Sequence, residues 1–251
     1  MVSLKTAAEI ETMAEGGRRL AGILKSLRGK VKVGIKTADL EKESVVLIRE
    51  SGAEPAFLGY RPAGGRNAYP YSLCVSVNEC VVHGQPSEYV IKEGDIVKLD
   101  LGLKYRGFYV DSAITVPVGN VSREASKLVE ATKEALKKAI EKARIGNTTG
   151  DIGYVIEKIV SQSGFSIVKS LTGHGIGREL HEEPQFLNFG NPGEGMELKA
   201  GMVLAIEPMV AMGSGKIKEL KDESFATADG SLSAHFEHTV AVTESGPRIL
   251  T

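Results

Sequence analysis

The sequence contains no tryptophan and only two cysteines, and its charges nearly cancel: 31 Lys plus Arg against 32 Asp plus Glu, a formal net charge of −1. That balance exerts no general pull toward nucleic acid or a membrane surface, so no direct nucleic-acid specificity is expected. No run of roughly 18 apolar residues occurs, so nothing reads as a transmembrane helix. The opening MVSLKTAAEIETMAEGGRRL is amphipathic and carries acids, unlike a signal or transit peptide, which predicts a cytoplasmic protein without membrane contact. Cys74 and Cys80 stand in SLCVSVNEC. Read as one strand they lie about 20 Å apart, beyond disulfide reach, and their spacing is not that of a zinc knuckle. They are expected to be buried thiols or a pocket lining.

With 251 residues, 42% of them apolar, the chain can bury a core as one large domain or two small ones. Its most informative stretch is IVKLDLGLKYRGFYVDSAIT (96–115), two apolar, β-rich runs joined by a short turn. A turn centred on Tyr105–Arg106 or on Arg106–Gly107 puts Asp100 and Asp111 on one face of the hairpin, opposite or diagonal. Like charges across neighbouring strands repel, and an unpaired carboxylate in a half-buried sheet costs several kcal/mol. Two acids so placed require a proton, a cation or water, unless the hairpin simply turns them to solvent.

Elsewhere the chain reads in alternating helices and strands. Thr6-x-x-Glu9 is a capping box before a stripe of Met13, Gly17, Leu20, Leu24 and Leu27, with Gly29 as the expected stop. A second helix follows Thr37 and ends at Gly52. After a Pro/Gly-rich loop, strands are expected over 72–78 and 81–83, then helices over 122–144 and 151–162. The second half echoes the first. VGIKTADLEKESVVLIRESG (33–52) lies over IGNTTGDIGYVIEKIVSQSG (145–164) at a constant offset of 112. EGDIVKLDLG (93–102) lies over AGMVLAIEPM (200–209), matching Asp100 to Glu207. YVDSAITV (109–116) lies over HFEHTVAV (235–242), matching Asp111 to Glu237. The pattern predicts a duplicated fold, one domain over 1–251 with halves near 1–120 and 121–251, each giving an acidic strand pair to a shared centre.

Four carboxylates converging on an apolar centre cannot all ionise without compensation, and divalent cations with hard oxygen ligands provide it. TGHGIGRELHEEP (172–184) offers His174 between small residues that let its ring point inward, with His181 seven positions on. Asp100, Asp111, His174, Glu207 and Glu237 therefore form a candidate metal set, more donors than one tetrahedral ion needs and suited to two ions. Unrelated surface acids and a lone core histidine are the alternative. Pro208 after Glu207 fits a strand end, where a site can open. His238 is expected to face away from Glu237, and His235, on the same face, to stand behind a ligand.

At this level of detail GHGIGRELHEEP, VLAIEPM, SAHFEHT and LDLG with the following Val-Asp-Ser resemble the signature strings of type I methionine aminopeptidases, over essentially the whole chain. The resemblance implies the pita-bread fold, an α+β architecture of two pseudo-symmetric halves in which antiparallel sheet is covered by helices. It implies removal of initiator methionine from nascent chains when the second residue is small, by attack of a water or hydroxide bridging two divalent ions (Co, Mn, Fe or Zn). Matched position by position, Asp111 and Glu237 would bridge those ions. Glu207 would pass a proton to the leaving amine, His83 in CVVHGQP would contact substrate near its amine and scissile amide, and His181 would bond the scissile carbonyl. Phe57, Tyr60, Tyr69 and Cys74 align with the methionine pocket, and Asn78 and Ser233 with a monovalent-cation site. The partners implied are polypeptide N-termini at the ribosome exit, and a monomer is expected.

The sequence departs from the family in three places. RPAGGRNA (61–68) is longer than the usual link, Glu223 stands where tryptophan is frequent, and His235 stands where glutamine is common. Neither the N-terminal extension of some eukaryotic members nor the helical insert of type II enzymes is expected. Prolidase-like pita-bread peptidases are the nearest rival, usually with a sizeable preceding domain. A non-catalytic binder of N-termini is the rival from another class, disfavoured because all five ligand candidates are present.

Overall fold

In the computed structural model, which describes residues 2–61 and 65–251, the first half runs α1 (Ala7–Lys30), α2 (Thr37–Ser51), β1 (Glu54–Pro55), β2 (Cys74–Val77), β3 (Cys80–Val82), β4 (Ile96–Tyr105) and β5 (Phe108–Pro117). The second half opens with α3 (Arg123–Lys142), α4 (Thr149–Gln162), β6 (Ser166–Ile167), β7 (Thr172–Gly175), β8 (Glu182–Leu187) and β9 (Val203–Ile206). It closes with β10 (Met209–Ala211), β11 (Ile217–Glu219), β12 (Phe225–Thr227), β13 (Ser233–His235), β14 (His238–Thr243) and β15 (Gly246–Ile249). Strand pairing is antiparallel throughout the described ladders. β4 lies between β1 and β2 on one edge and β5 on the other, and the second half carries the order β15-β14-β9-β7-β8.

Local chemistry explains the helix ends. Thr6 caps α1 and Thr148 caps α4, each in a reciprocal capping box with the acid three residues on, Glu9 and Asp151. Ser122 caps α3 through the Ala125 amide. Gly52 ends α2 in the left-handed conformation, φ 69°. Gly29, expected to stop α1, does not. The helix continues to Lys30, and its exposed position there costs only a weaker propensity.

The two halves repeat at the level of single hydrogen bonds. Thr37 and Thr149 begin equivalent helices, and their amides bond to Tyr89 O and Met196 O at 3.0 and 2.9 Å. The isolated bridge Lys36–Val90 recurs as Thr148–Glu197, and the β1–β4 pair Glu54–Lys104 recurs as the β6–β10 pair Ser166–Ala211. Gly94 and Gly201 hold the same turn at φ 87° and 88°, a conformation that excludes most other residues.

Two large apolar cores form, one built mainly from each half, with Val203, Ala205 and Leu250 of the second half joining the first. One packs Met13, Leu20, Leu24 and Leu27 of α1 with Leu99, Leu101 and Leu103 of β4. The other packs Leu128, Leu136 and Ile140 of α3 with Ile152 and Ile156 of α4 and Leu204 of β9. A buried leucine contributes about 1.5–3 kcal/mol. The halves meet where β5 runs beside 235–239. The Asp111 amide donates to Thr239 Oγ1 at 2.9 Å, Glu237 N to Ala113 O at 3.0 Å, and His235 N to Thr115 Oγ1 at 3.0 Å. This seam carries the candidate ligands.

At Gly17 an added β-carbon would lie 2.0 Å from the backbone oxygen of Leu250, whereas at Gly29 nothing lies within 4 Å. Gly17→Ala is expected to cost about 1–3 kcal/mol by forcing α1 off the C-terminal segment. Gly29→Ala should stabilise by roughly 0.5–1 kcal/mol through helix propensity. Urea unfolding of the two variants measures both, and equal shifts would refute this account of the helix's close approach.

Candidate metal centre

The β4–β5 hairpin closes through Arg106 and Gly107, both left-handed at φ 48° and 83°, which is the two-residue turn that matches strand twist. Its register pairs Gly102 with Asp111 and Asp100 with Ala113, so the two acids stand diagonally on one face. In the second half, β9 and β14 end their ladder at Ile206–His238. Glu207 and Glu237 follow one residue beyond it, the latter in the break between β13 and β14.

His174 lies in β7, where the pairing with β8 slips between Gly173 and Gly175. Side chains on either flanking glycine would collide. A β-carbon on Gly173 would meet Phe186 at 2.5 Å, and one on Gly175 would meet Glu183 O at 2.3 Å. His174 Nδ1 bonds Gly175 O at 2.8 Å and so carries the proton, leaving the Nε2 lone pair free. Nε2 is 3.4 Å from Glu207 Oε1. One donor atom each from Asp111, His174 and Glu237 fall within 4.8 Å of one another.

The electrostatics of the cluster are one-sided. Burial raises Asp111 to about 7, and burial together with neighbouring carboxylates holds Asp100, Glu207 and Glu237 well above the usual range. Burial acts oppositely on imidazole, taking His174 to about 4, and His181 and His235 each to about 3. Among the described residues Asp100 Oδ1 and Glu237 Oε1 are buried without a donor. Hard carboxylate oxygens, a neutral imidazole and buried oxygens lacking a partner are the donor set that divalent cations fit.

Around this cluster, the His181 ring lies 4.3 Å from that of His174, and Tyr60 OH is 2.5 Å from His181 Nδ1. His83 sits at φ 58°, solvent-exposed, its ring edge-on to Phe225. His235 Nε2 faces Glu207 Oε2 at 3.6 Å, whereas His238 turns away to Thr251. Phe57 packs on Gly102, Cys74 lies opposite Asp100 in the β2–β4 ladder, and Tyr69 OH is tied to Leu73 O and Gly84 O.

The strands expected over 72–78 and 81–83 form as β2 and β3, a tight turn separates them, and both thiols are free. The oxygens of Asn78 and Ser233, aligned with a monovalent-cation site, are taken by a side chain that sequence reading passed over. Lys98 Nζ donates to Asn78 O at 2.6 Å, Ser233 O at 3.1 Å and Ser233 Oγ at 3.2 Å. Burial draws this amine down to about 7 against the pull of Cys80, Glu79 and Asp95. The donor set does not fit a free monovalent ion. Of the long loop 61–68, residues 62–64 lie outside the described residues; Arg66 and Asn67 bond Glu223.

The sequence profile of Metallopeptidase family M24 matches residues 11–244. The chain belongs to that family. Two curated relatives resemble it over its whole length: a methionine aminopeptidase of Clostridium perfringens, 48% identical with 99% of that protein covered, and methionine aminopeptidase 1 of Bacillus subtilis, 44% identical with 99% covered. The crystal structure of a methionine aminopeptidase from Thermotoga maritima superposes with TM-score 0.95 at 43% identity, covering all of this chain and 99% of that one. A prolidase from Pyrococcus furiosus reaches TM-score 0.77 at 25% identity and is covered over 65% of its length, so the M24 pita-bread fold is shared beyond one specificity. As an M24 metallopeptidase the chain uses divalent metal. Among the described residues no helix is long and apolar enough to cross a membrane.

Raised carboxyl values set the sign of a pH effect. Below about 4 these groups are protonated in both folded and unfolded chains. As pH rises toward 7, the value reached by Asp111, the unfolded chain ionises first and folding loses stability. Metal-free protein should therefore melt at progressively lower temperature across that window. Added Mn²⁺ should restore more stability at the upper end, because binding releases protons. Melting curves of chelator-treated protein that rise with pH would contradict the cluster's electrostatics.

Proposed function

We propose that the chain acts as one catalytic domain that removes N-terminal methionine from nascent polypeptides, with Asp100, Asp111, His174, Glu207 and Glu237 holding two divalent ions. The observation that carries this reading is the meeting of buried Asp111 and Glu237 with the neutral imidazole of His174, with half-buried Asp100 and Glu207 beside them, in a chain matched end to end by methionine aminopeptidases. When bound, such ions acidify water and polarise a carbonyl; Mn, Fe, Co and Zn all suit this donor set.

The protein's own groups supply the rest. Burial keeps the Tyr60 phenol protonated, so its hydroxyl donates to His181 Nδ1 and leaves the proton of that neutral ring on Nε2. His181 then presents a fixed N–H donor to a scissile carbonyl, where a preplaced donor lowers the barrier by about 3 kcal/mol. Glu207, its carboxyl value raised by burial and by Asp100, is suited to carry a proton to the leaving amine. Asp100, with an oxygen lacking any donor, is suited to a substrate ammonium. His83 would hold the scissile amide. Phe57 and Cys74 of the first core, with Tyr60 and Tyr69 packed against it, are of the residue types that suit a methionine side chain. A cytoplasmic monomer working at the ribosome exit fits this substrate.

Met-Ala-Ser should release free methionine in a metal-dependent way, while Met-Lys-Ser and an Xaa-Pro peptide should not. Preferred cleavage of the Xaa-Pro peptide would move the chain to prolidase specificity. His181→Ala should lower kcat about 100-fold with ion binding intact, and unchanged turnover would remove it from the reaction. Asp111→Asn should lose at least one ion by metal analysis; full occupancy in that variant would end its assignment as a bridge.

A further inference from the structure

Lys98 heads the largest side chains that the fold buries completely, at 1% exposure. Its Nζ meets two carbonyl oxygens and one hydroxyl. The Ser233 hydroxyl spends its own proton on Asn78 O at 3.0 Å or Cys80 O at 3.1 Å, so toward Lys98 it accepts. Three acceptors match the three protons of an ammonium. This oxygen cage is chemically what binds a desolvated potassium or sodium ion, and a tethered charge occupies it instead.

The position of the cage gives the charge a purpose. Lys98 precedes Asp100 by two residues in β4 and shares its face. Ser233 precedes His235 by two residues in β13, and His235 faces Glu207. Asn78, at the turn between β2 and β3, adopts φ 53°. Its side chain is pinned in turn, Nδ2 donating to Asp95 Oδ1 and Oδ1 accepting from Ile96 N. The ammonium thus links a strand of the first half to one of the second, two residues along those strands from Asp100 and His235.

We propose that Lys98 is a built-in cation: its ammonium replaces a dissociable monovalent ion, locks β4 to β13, and frees the ligand geometry from dependence on potassium or sodium. Lys98 is a positioning residue, and its effect on divalent affinity rests on the ligand assignment above; its effect on stability does not.

The test compares potassium chloride, sodium chloride and tetramethylammonium chloride at matched ionic strength, which holds general screening constant. Melting temperature and Mn²⁺ titration of metal-free wild-type protein should be the same in all three. Lys98→Asn, which removes the ammonium and leaves the oxygens, should melt lower and bind Mn²⁺ about tenfold more weakly in tetramethylammonium chloride. Potassium chloride should restore both. Three results would overturn the proposal: wild-type protein stabilised specifically by potassium, a folded variant with wild-type Mn²⁺ affinity in every salt, or a folded variant weakened alike in all salts. Should Lys98→Asn fail to fold, the wild-type salt series decides alone. Absence of Mn²⁺ binding by wild-type protein would instead count against the ligand assignment, with the melting series still reading Lys98.

Discussion

Mutual repulsion among four carboxylates at the seam between two half-folds is the constraint on which the rest of this structure depends. Asp100 and Asp111 come from one half, Glu207 and Glu237 from the other, and burial compounds the repulsion by removing water. Neither half can assemble the cluster by itself. The fold brings the acids together by pairing β5 with 235–239 through backbone and threonine hydrogen bonds, so that sheet-like rungs carry the load that like charges oppose. A metal-free cluster relieves the strain by retaining protons, and cations relieve it without them.

The same burial that raises the acids lowers the histidines, and the two shifts serve one end. His174, His181 and His235 all stay neutral far below physiological pH, so none of them neutralises the acids by taking a proton. A protonated imidazole could neither ligate nor act as a lone-pair acceptor. What individual rings can do is then set by their partners. Gly175 O takes the Nδ1 proton of His174 and exposes its Nε2 lone pair, whereas Tyr60 takes the Nδ1 lone pair of His181 and exposes an N–H. Adjacent rings thereby acquire opposite hydrogen-bonding roles.

Much of this is legible in the chain because it repeats. Capping boxes at Thr6 and Thr148 announce helix starts by local chemistry alone, and the echo of residues 33–52 in 145–164 coincides with matching bonds at Thr37 and Thr149. The acid-for-acid matches within the later blocks pointed to the carboxylates that meet at the seam. Features that depend on long-range contacts stayed hidden. Gly29 looks like a helix stop until its open surroundings are known, whereas Gly17 looks like stripe filler until Leu250 is seen against it. Within SLCVSVNEC the sequence does not show what holds the turn, because left-handed Asn78 stands there in place of glycine, its side chain held by Asp95 and Ile96. Lys98 carries no signal of burial in the sequence, because only the oxygens of Asn78 and Ser233, far off in sequence, make that burial tolerable.

The places where the duplication is broken explain how one fold makes an asymmetric site. In the first half, acids lie within the ladder of β4 and β5, and the shorter aspartate suffices; in the second, they lie past the end of the β9–β14 ladder, and the longer glutamate spans the extra distance. Position 98 of the first half corresponds to 205 of the second. Lys98 pairs with Ser76, and Ala205 pairs with His174. An alanine beside His174 leaves its ring room to face Glu207, while at the twin position a buried lysine fills the space and donates to Asn78 O. Exchanging these two residues would deprive each half of what the other provides: a cation would crowd the imidazole, and the oxygen cage would lose its occupant. The duplicated scaffold thus fixes where the strands run, and substitution at a single pair of equivalent positions puts a buried lysine in one half and leaves an alanine beside the imidazole of His174 in the other.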